Sequence, residues 1–138
     1  MAEILLIEDD AGFRRTVARA LAAAGHHVRQ APDGVDGVRL FLTHRPALVI
    51  TDIVMPEKEG LEVIRELRRH STEIPIIAIS GIADRAGFYL RAATLFGADA
   101  TLAKPFRFAQ LLHTVDDLLS RFPTEAGSPS KQADTGGV

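Results

Sequence analysis

Three acidic residues, Glu8, Asp9 and Asp10, stand directly behind the apolar run Ile4–Ile7. Asp52 follows the run Leu48–Thr51, Ser80 closes the run Ile76–Ser80, and Lys104 follows Ala100–Ala103. Carboxylates gathered in one crevice repel each other, and some take up protons unless a cation offsets them. An all-oxygen set without His or Cys suits a hard ion. Mg2+ (or Mn2+) is the expected one, held by one or two carboxylates with water and a phosphate oxygen. A carboxylate is also a competent nucleophile toward phosphorus, in a reaction that needs mainly positioning and charge neutralisation. Ser80 would hydrogen-bond the transferred group, and Lys104 would pair with its charge. Each residue has a plainer use as well. Asp9 and Asp10 have the form of helix N-caps, a lone Ser at a strand end carries little information, and a Lys before Pro is usually solvated. The chemical reading depends on all of them reaching one rim.

The elements that would bring them there are short apolar runs alternating with helical patterns. The strand candidates are Ile4–Ile7, His27–Gln30, Leu48–Thr51, Ile76–Ser80 and Ala100–Ala103. Three of these are apolar throughout, as expected for parallel strands covered on both faces. Between them lie stripes at spacings of three and four: Phe13, Val17, Leu21 and Ala24; Val35, Val38 and Leu42; Leu61, Ile64 and Leu67. A fourth, less tidy helix is expected from about Asp84 to Leu95. The last stripe is the clearest, running Phe108, Leu111, Leu112, Val115, Leu118, Leu119 and Phe122. Gly25 is placed to end the first helix and Asp33 to cap the second. Pro46 and Pro75 precede the third and fourth strands. Five strand–helix units in strict alternation imply an α/β fold, a five-stranded parallel doubly wound sheet with five helices and right-handed crossovers. In such a sheet the strand C-termini open on one edge, where ligands bind. That edge gathers Glu8, Asp9, Asp10, Asp52, Ser80 and Lys104.

Composition narrows the function classes. At 138 residues the chain holds one domain with a full core. A net charge of −2 offers no electrostatic footprint for nucleic acid. The absence of cysteine excludes disulfides, thiol catalysis and thiolate metal sites. No apolar stretch approaches the roughly 18 residues of a membrane span. The first strand begins almost at Met1, without room for a signal core, so a cytoplasmic location is expected. From Pro123 to Val138 the chain is Gly, Ser, Pro and polar residues, expected to form a disordered tail. The five histidines are scattered, without metal-ligand spacing, and are expected on the surface. Arg65, Arg68, Arg69 and His70 read as a solvated basic end to the third helix, complementing its dipole.

These residues match a known pattern. Ile4–Asp10, then Leu48–Pro56 with Gly60, then Ile76–Gly81, Gly97–Asp99 and Leu102–Phe106 occur in order at fitting separations. The chain thereby resembles the receiver domains of two-component response regulators, of the CheY type, over about residues 1–122. The resemblance implies the flavodoxin-like strand order 2-1-3-4-5. It implies that Asp52 is the phosphoacceptor. Asp9 would be a direct metal ligand, Glu8 would act through water, and Val54 would lend its backbone carbonyl. Ser80 and Lys104 would contact the phosphoryl group, and the Lys104–Pro105 peptide bond would be cis. The expected function is a single-domain response regulator, with no output domain and no turnover activity in the usual enzymatic sense. It would take its phosphoryl group from a sensor histidine kinase or a histidine phosphotransfer protein and then dock on a downstream protein, with no nucleic-acid or membrane partner. The docking face implied is the fourth helix, fifth strand and fifth helix.

The match has two departures. Thr101 stands where the family usually carries an aromatic switch residue. The segment from Ser80 to Lys104 is slightly longer than usual and carries Gly87, Phe88 and Tyr89. Ordinary helix packing for Phe88 and a partly exposed Tyr89 are expected; the alternative gives one of them part of the missing aromatic's role. Two other functions fit the topology. A haloacid-dehalogenase-type hydrolase would place an acid/base Asp two residues after Asp52, where Val54 stands. A flavodoxin-like flavin binder would need a hydroxyl- and Gly-rich phosphate loop where Glu8, Asp9 and Asp10 stand.

Overall fold

A computed structural model describes residues 1–55, 60–81 and 87–121. The elements run β1 (Glu3–Ile7), α1 (Ala11–Ala23), β2 (His27–Ala31), α2 (Gly34–His44) and β3 (Leu48–Asp52). They continue with α3 (Gly60–His70), β4 (Ile76–Ser80), α4 (Phe88–Phe96), β5 (Ala100–Ala103) and α5 (Phe108–Arg121). All strand pairs are parallel, in the order β2-β1-β3-β4-β5.

Strand parity divides the core into two layers, because successive side chains point to opposite faces. Ile4, Leu6, Leu48, Ile50, Ile77, Ile79 and Leu102 pack against Val17 and Leu21 of α1 and against Leu111, Val115 and Leu118 of α5. Leu5, Ile7, Val49, Ile76 and Ala78 face the other way, onto Val38 and Phe41 of α2, Val63, Ile64 and Leu67 of α3, and Ala93 of α4. Both faces of the central strands are thus covered, which is why β1, β3 and β4 read as unbroken apolar runs.

Caps set where the helices begin and end. Asp10 accepts the Phe13 amide at the start of α1, and Asp33 accepts the Asp36 amide at the start of α2. Ala24 is the C-cap of α1 and is exposed, off the buried stripe, and Gly25 follows it at φ 98°.

The structure corrects five expectations. In α2 the buried face is Gly34, Gly37, Val38 and Phe41, while Val35 and Leu42 face solvent. Gly37 is the reason: a Cβ there would lie 2.4 Å from Ile7 Cδ1, so its lack of a side chain lets the helix sit directly on β1. Phe88 is 60% exposed rather than packed, its ring edge-on to the half-buried Tyr89. His26 is covered by its neighbours, its side chain 7% exposed, and its Nδ1 accepts the Ala2 amide. Arg68 is bonded rather than solvated. It donates to the carbonyls of Ser71, Ile74 and Gly97 and to the Asp99 carboxylate, tying the end of α3 to the chain on either side of β4 and α4. Helix α4 begins at Phe88 instead of near Asp84, and residues 84–86 lie outside the described residues. So do Pro56, Phe122 and the expected tail, 123–138.

Candidate functional site

Each candidate residue is delivered to the rim by the end of a strand. Glu8 extends β1 by one step, its amide donating to Ala31 O at 3.0 Å. The chain then turns into α1, which leaves Asp9 exposed beside it. Asp52 is the last residue of β3, in register with Ile79 of β4, and the next amide, Ile53, donates to Ile79 O at 2.9 Å. Ser80 ends β4, and its carbonyl accepts the Lys104 amide at 2.8 Å, so the ends of β4 and β5 stay together. The Lys104–Pro105 bond is cis.

The side chains of Glu8, Asp9, Asp52 and Lys104 converge. A carboxylate oxygen from each of Glu8, Asp9 and Asp52 lies within 4.8 Å of the others. Lys104 Nζ stands 3.2 Å from Glu8 Oε1 and 3.6 Å from Asp52 Oδ2. The second Glu8 oxygen accepts the Asp10 amide at 3.1 Å, and Asp52 Oδ1 accepts the Ile53 amide at 2.9 Å. Glu8 and Ser80 are each 1% exposed and Asp52 6%. Val54 is exposed on the loop beyond, and Thr101 is half-buried within β5.

Burial dominates the electrostatics. It pushes the Glu8 carboxyl up to about 7, and the neighbouring Asp52 charge adds to the effect, against the opposing pull of the Asp10 amide and Lys104. Asp52 is raised too, first by burial and then by Asp9, with Lys104, Glu8 and the Ile53 amide acting the other way. One ammonium therefore does not offset this concentration of carboxylates. The donor set fits a hard divalent cation: three oxygen ligands within reach of one point, no nitrogen or sulfur among them, and acids driven toward protonation in its absence.

Comparison with known proteins agrees with this arrangement. A sequence profile described as the response regulator receiver domain matches residues 4–116. The chain belongs to the response regulator receiver domain family. The response regulator MprA of Mycobacterium sp. (strain KMS) is 37% identical over 128 residues, which are 92% of this chain and 54% of that protein. The receiver thus spans about half the length of the curated relatives it matches. Among solved structures, a response regulator receiver domain protein from Clostridium thermocellum superposes with a TM-score of 0.80 at 27% identity, covering 88% of this chain and 96% of that one. The chemotaxis response regulator CheY4 of Vibrio cholerae gives 0.79 at 28%, covering 86% and 99%. Neither rival chemistry is favoured in this receiver, since Val54 occupies the position a hydrolase would give to an acid and the loop after β1 is acidic.

Sequence reasoning gave no role at the receiver's rim to three contributors, although Gly60 stood in the matched motif and Phe13 in the first helical stripe. Arg14 NH1 donates to Glu8 O at 2.9 Å, bracing the acidic turn from within α1. Gly60 lies so close to β3 that its amide bonds Ile53 O at 2.6 Å and a Cβ would fall 2.1 Å from Asp52 O. The Phe13 ring lies under Lys104 Nζ, 4.3 Å from centroid to nitrogen. For Phe13 and Arg14 a signal existed: both fall in the first turn of a helix that starts at the acidic turn, which keeps them on the rim.

Proposed function

We propose that this receiver accepts a phosphoryl group on Asp52 from a phosphohistidine donor and so changes its affinity for a protein partner. The observation that carries the reading is a nearly buried Asp52 carboxylate with two further carboxylates and one ammonium gathered around it. An Asp52 carboxylate oxygen attacks phosphorus and the P–N bond to the donor imidazole breaks. The electron pair of that bond stays with the imidazole, which takes up a proton, and an acyl phosphate remains on Asp52. Glu8, Asp9 and Asp52, with the Val54 carbonyl, would hold Mg2+, which supplies charge neutralisation at the phosphoryl oxygens when bound. Lys104 lies close enough to Asp52 to pair with a phosphoryl oxygen, and Ser80, at the end of the adjacent strand, supplies a hydroxyl on the same rim. Among the described residues, the charged groups around Asp52 are placed to hold and neutralise a phosphoryl group, which suits a phosphorylated state that persists.

The donor would be a sensor histidine kinase or a histidine phosphotransfer protein in the cytoplasm. Output then follows from a shift between two conformations that the partner binds unequally. Thr101 has no ring to bury, so that shift is read through other side chains. The test is incubation with Mg2+ and acetyl phosphate, followed by mass analysis of the intact chain. An acid-labile phosphoryl increment on Asp52, absent in Asp52→Asn, supports the reading. Its absence from the folded wild-type chain overturns it.

A further inference from the structure

Lys104 has a third neighbour besides the two carboxylates. The Phe13 ring faces its ammonium at 4.3 Å, well inside the distance at which a ring quadrupole attracts a cation. The ring is itself braced. It meets Phe106 edge-to-face, with centroids 5.9 Å apart and planes at 79°, and the Asp10 cap fixes the helical turn that carries it. Phe106 follows Lys104 by two residues, so the base of the lysine and the wall it leans on form one unit.

The carboxylates and the ring hold the ammonium in different ways. Glu8 and Asp52 attract it through charges that change partners when a cation or a phosphoryl group arrives. The ring attracts it through a fixed charge distribution that neither event alters. A lysine stem is flexible and its head strongly hydrated, and this one is 22% exposed. Without a wall its head has an open path to solvent.

We propose that Phe13 is a positioning residue for Lys104, keeping the ammonium over the crevice while the carboxylates exchange partners and thereby setting the rate at which Asp52 is phosphorylated. The assignment rests on the phosphoacceptor reading above. Phe13 touches no reacting atom, and the bonds made and broken are those already given.

Two measurements test it, one of them free of metal and phosphodonor. In the proton NMR spectrum of the unliganded protein, the Lys104 ε-methylene signal, identified by its loss in Lys104→Met, should lie upfield through the ring current of Phe13. It should keep that shift in Phe13→Tyr and return to the ordinary lysine position in Phe13→Leu. In the second, Phe13→Leu should slow acetyl phosphate labelling of Asp52 by about three- to ten-fold, the range of a partly desolvated cation–π contact. Phe13→Tyr should label near the wild-type rate, and Phe13→Leu should add no further slowing in a Lys104→Met background. Phe13→Met serves in place of Leu if the latter does not fold.

An unshifted lysine signal in the wild type overturns the assignment. So does a signal unchanged in Phe13→Leu, an equal labelling rate in Phe13→Leu and wild type, or an undiminished Phe13→Leu effect without Lys104. Failure of the wild type to label at all overturns the phosphoacceptor reading and the rate claim together. Labelling of the wild type with equal variant rates overturns the Phe13 assignment alone.

Discussion

Adding one methyl group at Gly60 should disturb the site more than any comparable change elsewhere in the core. A Cβ at Gly60 would lie 2.1 Å from the Asp52 carbonyl oxygen, 2.6 Å from Ile53 Cα and 2.9 Å from the Asp52 carbonyl carbon. Real contacts of this kind stay beyond 3.0 Å, so helix and strand must part by roughly 1 Å. All three obstacles are backbone, and no rotamer change relieves them. Parting them strains the Gly60 amide bond to Ile53 O and the Thr51 hydroxyl bond to Asp52 O. Overpacking costs about 1–3 kcal/mol and a weakened hydrogen bond about 1 kcal/mol, so Gly60→Ala should lose about 2–4 kcal/mol of stability. Because the displaced atoms belong to Asp52 itself, labelling by acetyl phosphate should fall by about 10²-fold, the penalty of a 1 Å misplacement.

Gly37→Ala is the control. Its Cβ would lie 2.4 Å from Ile7 Cδ1 and 2.8 Å from Cγ1, but all its obstacles belong to one side chain rather than to backbone, and the helix gains propensity. We expect a loss of about 1–2 kcal/mol with labelling near wild type. Urea unfolding followed by circular dichroism gives the first quantity, and the initial rate of mass gain gives the second. If Gly60→Ala unfolds at the wild-type midpoint and labels at the wild-type rate, or Gly37→Ala is the worse of the two, the close-approach argument is wrong.

Three further outcomes follow from the geometry. In chelator, stability should fall as pH rises from about 4.5 through 7: burial raises Glu8 to about 7, so the folded state holds its proton across that range while the unfolded state has released it. The loss, at most about 3 kcal/mol, should flatten in Glu8→Gln; a urea midpoint that is constant or climbs over this range would contradict it. Arg68→Ala should cost about 2–4 kcal/mol, since it removes the guanidinium that donates to three carbonyls and leaves the Asp99 carboxylate with the Ile76 amide but no cation; Arg68→Lys should recover less than half, because one ammonium does not span that set. Recovery to the wild-type midpoint in the lysine variant would show that charge alone suffices. Asp10→Ala should lower stability by about 1 kcal/mol through loss of the Phe13 amide acceptor, and Asp10→Asn should retain most of it; equal unfolding midpoints for all three chains would deny the cap any role.

What the sequence made legible follows from how each signal is encoded. Unbroken apolar runs mark strands covered on both faces, so Ile4–Ile7, Leu48–Thr51 and Ile76–Ser80 stood out, and with them the residues at their ends. Asp33 was readable as a cap because capping needs only a short side chain and its local backbone. The buried face of α2 was not, because hydrophobic periodicity looks for large side chains and that face is built partly on the glycines Gly34 and Gly37. Arg68 was misread for a related reason. Local charge fits a helix dipole equally well whether the guanidinium is in water or inside, and its true acceptors at Gly97 and Asp99 lie some thirty residues away in sequence. Phe88 has an apolar residue's composition and a solvent residue's position, which no local rule distinguishes.

The Arg68 tie also divides the domain mechanically. It lashes the far end of α3 to the segments that enter β4 and β5, at the pole opposite Asp52. With that pole pinned, a change of charge at Asp52 would have little to push against there, and any answering shift would fall to the carboxyl ends of the strands. On the proposed reading, a partner that distinguishes the phosphorylated chain would gain most by gripping the edge that carries Asp52, and one seated at the pinned pole would gain little.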